Sequence, residues 1–190
     1  EPLKIHINWN NFDAATAKPY TTCFNTGDWS FSGNMVPGLP PPDNSFDYPV
    51  CESDFDPFSG GNVACWRACT PTDVLNTERF NFLKANVEKS VANVEEIYRV
   101  PKMDGPLKFS SGDMSDFANG VLGWKQKGVC GPATFGYCDT FLPDEFCTTG
   151  VPGGANVVLN MVYRPEMWGG GYGGSCEFDQ RGRPISIAFW

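Results

Sequence analysis

Eight cysteines set the terms on which this chain folds. An even number of thiols in 190 residues points to an oxidising compartment and a disulfide framework drawn from Cys23, Cys51, Cys65, Cys69, Cys130, Cys138, Cys147 and Cys176. The other use of thiols, a structural zinc site, needs four thiolates converging from paired short spacings. Only Cys65 and Cys69 approach that pattern, so disulfides are the expectation. Each would contribute on the order of 2–4 kcal/mol by restricting the unfolded chain. Spacing alone does not say which cysteine joins which.

The second constraint is a single histidine, His6. It rules out a self-contained multi-histidine zinc centre and leaves a Ser-His-Asp triad only one residue to use. A complete hydrolase site within these residues is therefore not expected. The acid pairs Asp54 with Asp56 and Asp144 with Glu145 read as solvated loop residues. A net charge of −8 with no Lys/Arg cluster excludes a nucleic-acid binder, because neutralising phosphates needs a basic face. No apolar run reaches the roughly 20 residues of a membrane span. No targeting segment precedes Glu1, so one is expected to have been removed or to lie outside this sequence.

The chain reads as one domain over residues 1–190. Leu3–Trp9 alternates apolar and polar residues, the period of a half-buried strand, with His6 on the polar, outward side. Residues 20–62 hold Pro37, Pro40, Pro41, Pro42, Pro49 and Pro57 among many aromatics. That density of proline blocks helices and central strands, and the stretch reads as an irregular loop covering its own core, held by Cys23 and Cys51. Over 72–100 the residues Phe80, Leu83, Val87, Val91, Val94 and Tyr98 line one face of a helix. Thr72 or Thr77 would cap it, Pro101 would stop it, and its apolar face reads as core.

Leu107-Lys108-Phe109 reads as a short strand and 112–147 as loops. The β-prone run 155–163 fits a strand buried on both faces. The Gly-rich segment at 168–174 reads as a mobile loop, since it lacks the Gly-Lys-Ser/Thr ending of a phosphate cradle. Residues 184–190 form a last strand. An apolar strand at that position is expected to be covered by another chain or followed by more polypeptide, which makes Ile185, Ile187, Phe189 and Trp190 a candidate assembly surface. The fold class expected is α+β: a mixed β-sheet, one long amphipathic helix and long disulfide-stapled loops.

Five segments follow one another in a telling order. They are Pro2-Leu3-Lys4-Ile5; Cys65-Trp66-Arg67-Ala68-Cys69-Thr70-Pro71-Thr72-Asp73-Val74 before the helix; Val129-Cys130-Gly131; the strand Asn156–Tyr163; and Ser175-Cys176-Glu177-Phe178-Asp179-Gln180-Arg181-Gly182-Arg183-Pro184. This order resembles the N-terminal part of the leishmanolysin family of zinc metalloendopeptidases. The resemblance spans nearly the whole chain and is most specific at Cys65–Val74 and Cys176–Pro184. Thr21–Asn62 and Met114–Cys147 match poorly.

The resemblance implies a metzincin-like N-terminal lobe of a secreted or cell-surface protein whose mature form begins near Glu1. It also implies that Cys130 pairs with Cys176, that Cys69 pairs with either Cys51 or Cys23 while Cys65 takes the other, and that Cys138–Cys147 is a local bridge. In the family, the strand matching Ile185–Trp190 is followed by a helix carrying His-Glu-x-x-His, whose imidazoles bind zinc while the Glu serves as general base. None of those residues is present here, and Ile187 and Trp190 stand where Gly and Asn are common. Zinc is thus implied only for the family's complete domain. No cofactor is expected on this chain, and no catalytic or metal-binding residue carries over.

Two functions fit. The chain is expected to be a non-catalytic N-terminal segment that braces a zinc site supplied by a second protein fragment or by a continuation. The alternative is an extracellular structural or adhesive building block for a filament or matrix, keeping the peptidase scaffold without its chemistry. Its partners would be further copies packing on the C-terminal strand by strand addition.

Overall fold

The computed structural model describes residues 1–17, 22–32, 65–109, 142–163, 173–179 and 181–189. The alternating N-terminal segment forms β1 (Ile5–Asn8), and a 3-10 turn follows at Asn10–Phe12. Two strands then pair antiparallel, β2 (Trp29–Ser32) and β3 (Cys65–Ala68). Helix α1 spans Thr77–Ile97, and a short helix α2 spans Asp144–Thr148. Three more strands complete the order: β4 (Val157–Met161), β5 (Gly173–Phe178) and β6 (Pro184–Phe189). Helix and mixed sheet together make an α+β chain, as composition and periodicity indicate.

The larger sheet has the order β1-β4-β6-β5. β1, β4 and β6 run parallel, and β5 returns antiparallel to β6 with register shifts between Ser175 and Phe178. β4 is therefore interior, which explains its nearly continuous apolar run. β6 is interior too. Its ladders are filled by β4 on one side and β5 on the other, Ile187 standing opposite Leu159 and Ser175. The last strand is not an open edge, contrary to the sequence reading, because a period of two reveals a strand's faces but not its neighbours. The outer margin of β1 is held by α1, where Ile5 N donates to Glu95 Oε1 (2.5 Å) and Leu3 N to Tyr98 O (3.1 Å).

α1 is shorter than 72–100, and its cap is neither Thr72 nor Thr77. Asn76 caps it, its side chain accepting from Arg79 N at 2.9 Å. The residues before it are committed to a turn in which Asp73 Oδ2 accepts from Thr70 N (2.8 Å) and Thr70 Oγ1 (2.6 Å). Such local side-chain bonds compete with helix formation. At the far end the Tyr98 backbone turns extended after donating to Val94 O. Phe80, Leu83, Val87 and Val91 are half-buried, Val94 and Tyr98 exposed, and no α1 residue is fully buried. The helix is amphipathic as read but is not the core. Phe80 instead joins Trp9 and Phe12 at centroid distances of 5.7 and 5.4 Å.

The core lies around α2. Leu107, Phe109, Leu142, Phe146, Val151, Ala155 and Val158 form one buried cluster, with Met103, Cys147 and Ile185 packed on it. Leu107–Phe109 is not a strand. It clamps α2 and the loop after it, Phe109 N donating to Phe146 O (3.1 Å) and Leu107 O accepting from Val151 N (2.8 Å). Residues 20–62 are not irregular throughout, since Trp29–Ser32 is β2, and 112–147 includes most of α2. The segment 168–172 lies outside the described residues, while Gly173 and Gly174 open β5.

Candidate functional site

Cys23 and Cys69 form a disulfide with Cα atoms 5.9 Å apart, and both are buried. It ties β2 to β3 from just outside the pair, reinforced by Cys69 N to Asp28 O (2.7 Å) and Gly27 N to Cys69 O (2.8 Å). Of the two partners left open for Cys69, the structure has Cys23. Cys147 is disulfide-bonded at the end of α2. Cys65 opens β3 and Cys176 lies in β5. Cys51, Cys130, Cys138 and Trp190 lie outside the described residues, and with them the pairings Cys130–Cys176 and Cys138–Cys147.

The polar side of β1 faces inward. His6 stands level with Val158 and Ser186, and Asn8 level with Asn160, so all five share a face. Val158 belongs to the core under α2, and His6 meets Phe146 edge-on at 5.0 Å. The histidine is half-buried rather than an outward strand residue. Burial pushes its pKa below the ordinary value, and the nearby Glu145 carboxylate opposes that shift only in part. A neutral imidazole wedged against a ring is a packing group.

On the same face, Asn8, Asn160 and Ser186 form a buried chain that crosses three strands. Asn8 Nδ2 donates to Asn160 Oδ1 (3.0 Å), and Asn160 Nδ2 donates to Ser186 Oγ (2.9 Å) and to Ile187 O (3.3 Å). Asn8 Oδ1 accepts from Asn10 N at 3.1 Å. A one-residue slip of any strand would break this chain, so it fixes register as well as adding hydrogen bonds. Sequence reasoning passed over it, although an asparagine at the centre of a β-prone run is the signal that could have found it.

Across the start of β4 and β6 lies a cleft of about 610 Å³. One wall is the segment 100–108 and the other the β5–β6 turn with Asp179, Arg181 and Arg183; Met103, Leu107, Val157 and Ile185 also line it. The turn is built by Asp179. Its Oδ1 accepts from Arg181 N (2.8 Å) and Arg183 N (2.9 Å), and its Oδ2 takes the Arg183 guanidinium through Nε (2.6 Å). These bonds, the one from the Arg183 backbone foremost, hold its carboxyl below the usual range. Gly182 supplies the positive φ of 76° that the turn needs.

Of the proposed assembly residues, Ile185 packs on the core, Ile187 is half-buried, and Phe189 is exposed. No group of three or more His, Cys, Asp or Glu side chains converges among the described residues, and His6 is turned against a phenyl ring. Among the described residues, no helix is long and apolar enough to cross a membrane. Compared with models of known protein families and with curated proteins, the chain matches none.

Proposed function

We propose that this chain is the non-catalytic N-terminal lobe of a secreted or cell-surface leishmanolysin-like metalloendopeptidase. It would brace a zinc-bearing helix supplied by a second fragment or by a continuation of the chain. The observation that carries the reading is how the resembling segments fall on the fold. Cys65–Val74 leads through β3 into α1, and Ser175–Pro184 supplies the hairpin whose β5 closes an otherwise parallel sheet with an antiparallel strand. A sheet of this kind suits a support, because its interior strands are pinned by the asparagine chain and its margin by α1. In this reading the chain's own residues hold and orient, and the metal chemistry belongs to the His-Glu-x-x-His helix. In the competing reading, an extracellular structural building block, copies would pack on the face of β6 rather than add to its ladders, which β4 and β5 fill.

Native mass spectrometry with zinc analysis, on the protein purified from its source, tests the proposal. The species containing residues 1–190 should also contain a His-Glu-x-x-His segment, in the same chain or a bound one, with one zinc per particle. A 190-residue species found only by itself and free of zinc would overturn it.

A further inference from the structure

We infer that the cleft between the 100–108 segment and the Asp179–Arg183 turn binds peptide segments that carry carboxylates beside an apolar side chain. The chain as a whole is acidic, at −8, yet this lining carries Lys102, Lys108, Arg181 and Arg183 against Asp104 and Asp179. Asp179 and Arg183 are committed to each other within the turn. Lys108 Nζ is anchored on Thr148 O at 2.6 Å. Glu1 is held near Lys102 by Asn156 Nδ2, which donates to its Oε1 at 3.0 Å. Among the described residues the exposed Lys102 and Arg181 make no ion pair, although Lys102 shares its field with the Glu1 carboxylate; they stand on separate segments of the lining.

The rest of the lining selects the class of anion. Pro101, Pro106 and Pro184 contribute no N–H to the lining, which reduces the backbone donors available to a phosphate. Met103, Leu107, Val157 and Ile185 offer apolar surface between the charges. A volume of about 610 Å³ falls in the range of roughly 300–1,000 Å³ that ligand sites occupy. An acidic peptide with one large apolar side chain matches both parts. This inference stands apart from the zinc-lobe reading.

The test is titration of the intact chain, by NMR and calorimetry, with the blocked peptide acetyl-Glu-Asp-Phe-Asp-amide, its neutral counterpart acetyl-Gln-Asn-Phe-Asn-amide, succinate and inorganic phosphate. The acidic peptide should bind at least tenfold more tightly than the neutral one, weaken as salt is raised, and shift signals of Lys102–Lys108 and Arg181–Ile185. Arg181→Ser and Lys102→Ser should each weaken it about fivefold or more. Both side chains are exposed, and only the backbone N–H of Arg181 serves the turn, so both variants should keep the wild-type circular dichroism. Equal binding of the acidic and neutral peptides, equal binding of succinate or phosphate and the peptide, or unchanged binding in both variants would each overturn the inference.

Discussion

Replacing Asn160 by alanine is the sharpest test of how the sheet is held. The side chain is 0% exposed, its Asn8 partner 2% and its Ser186 partner 0%. Alanine removes three hydrogen bonds at once and admits no solvent to replace them. The Asn8 amide, the Ser186 hydroxyl and the Ile187 carbonyl each lose a partner, and one buried group left unsatisfied costs about 1–3 kcal/mol. Ser186 can rotate toward another acceptor and Asn8 has further contacts, so the full sum is not reached. We expect a loss of about 2–4 kcal/mol, a large part of the ~5–15 kcal/mol that holds a typical domain folded.

Urea unfolding at pH 7 without reductant measures it, the midpoint falling at constant slope. A cycle with Asn8→Ala should show coupling of about 0.5–3 kcal/mol, because the two residues share a bond. Asn160→Asp adds a signed check. Burial raises the pKa of the introduced carboxyl, so that variant should regain stability relative to wild type as pH falls from 7 toward 4. A cost under about 0.5 kcal/mol for Asn160→Ala, or strict additivity in the cycle, would refute the claim that this chain of amides pins the strands.

Three further outcomes follow from the geometry. Burial lowers the folded-state pKa of His6, so its contribution is complete above the ordinary value of 6.5 and is lost as pH falls through the folded value. The difference in unfolding free energy between wild type and His6→Gln should therefore shrink toward acid, and an NMR titration of the sole imidazole reporting an unshifted pKa would contradict it. Phe146→Ala, at a position 1% exposed, should cost about 3–5 kcal/mol by thermal or urea unfolding and return the His6 pKa toward its ordinary value. Gly150→Ala should destabilise by about 1–3 kcal/mol, since φ is +105° and a Cβ there would stand 2.8 Å from Pro106 Cβ and 3.0 Å from Leu107 O.

What the sequence made legible was local, and what it hid was pairing. The alternation at Leu3–Trp9 and the β-prone run at 155–163 each became a strand, and the 3.6-residue pattern became α1. The turn at Asp179–Arg183 is local too, an aspartate followed three residues later by glycine, but the sequence reading drew no turn there. α2 escaped notice because five residues behind a proline leave no period to detect. β1 escaped in a more instructive way. In the sequence its polar side reads as facing solvent, because water is the cheapest partner for an amide or an imidazole. Here the cheaper partner is another element of the fold: Asn8 is buried by bonding to Asn160 on β4, 152 residues away, and His6 by packing on Phe146 of α2. Neither residue carries a sign of this in its own neighbourhood. Asn8 turns inward because a complementary amide, Asn160, stands at its register position on the next strand, whereas His6 lies opposite Val158 and meets a ring from α2. Sheet order therefore has to be known before the faces of β1 can be assigned, and the same order gives Ile187 its ladder partners, Leu159 and Ser175.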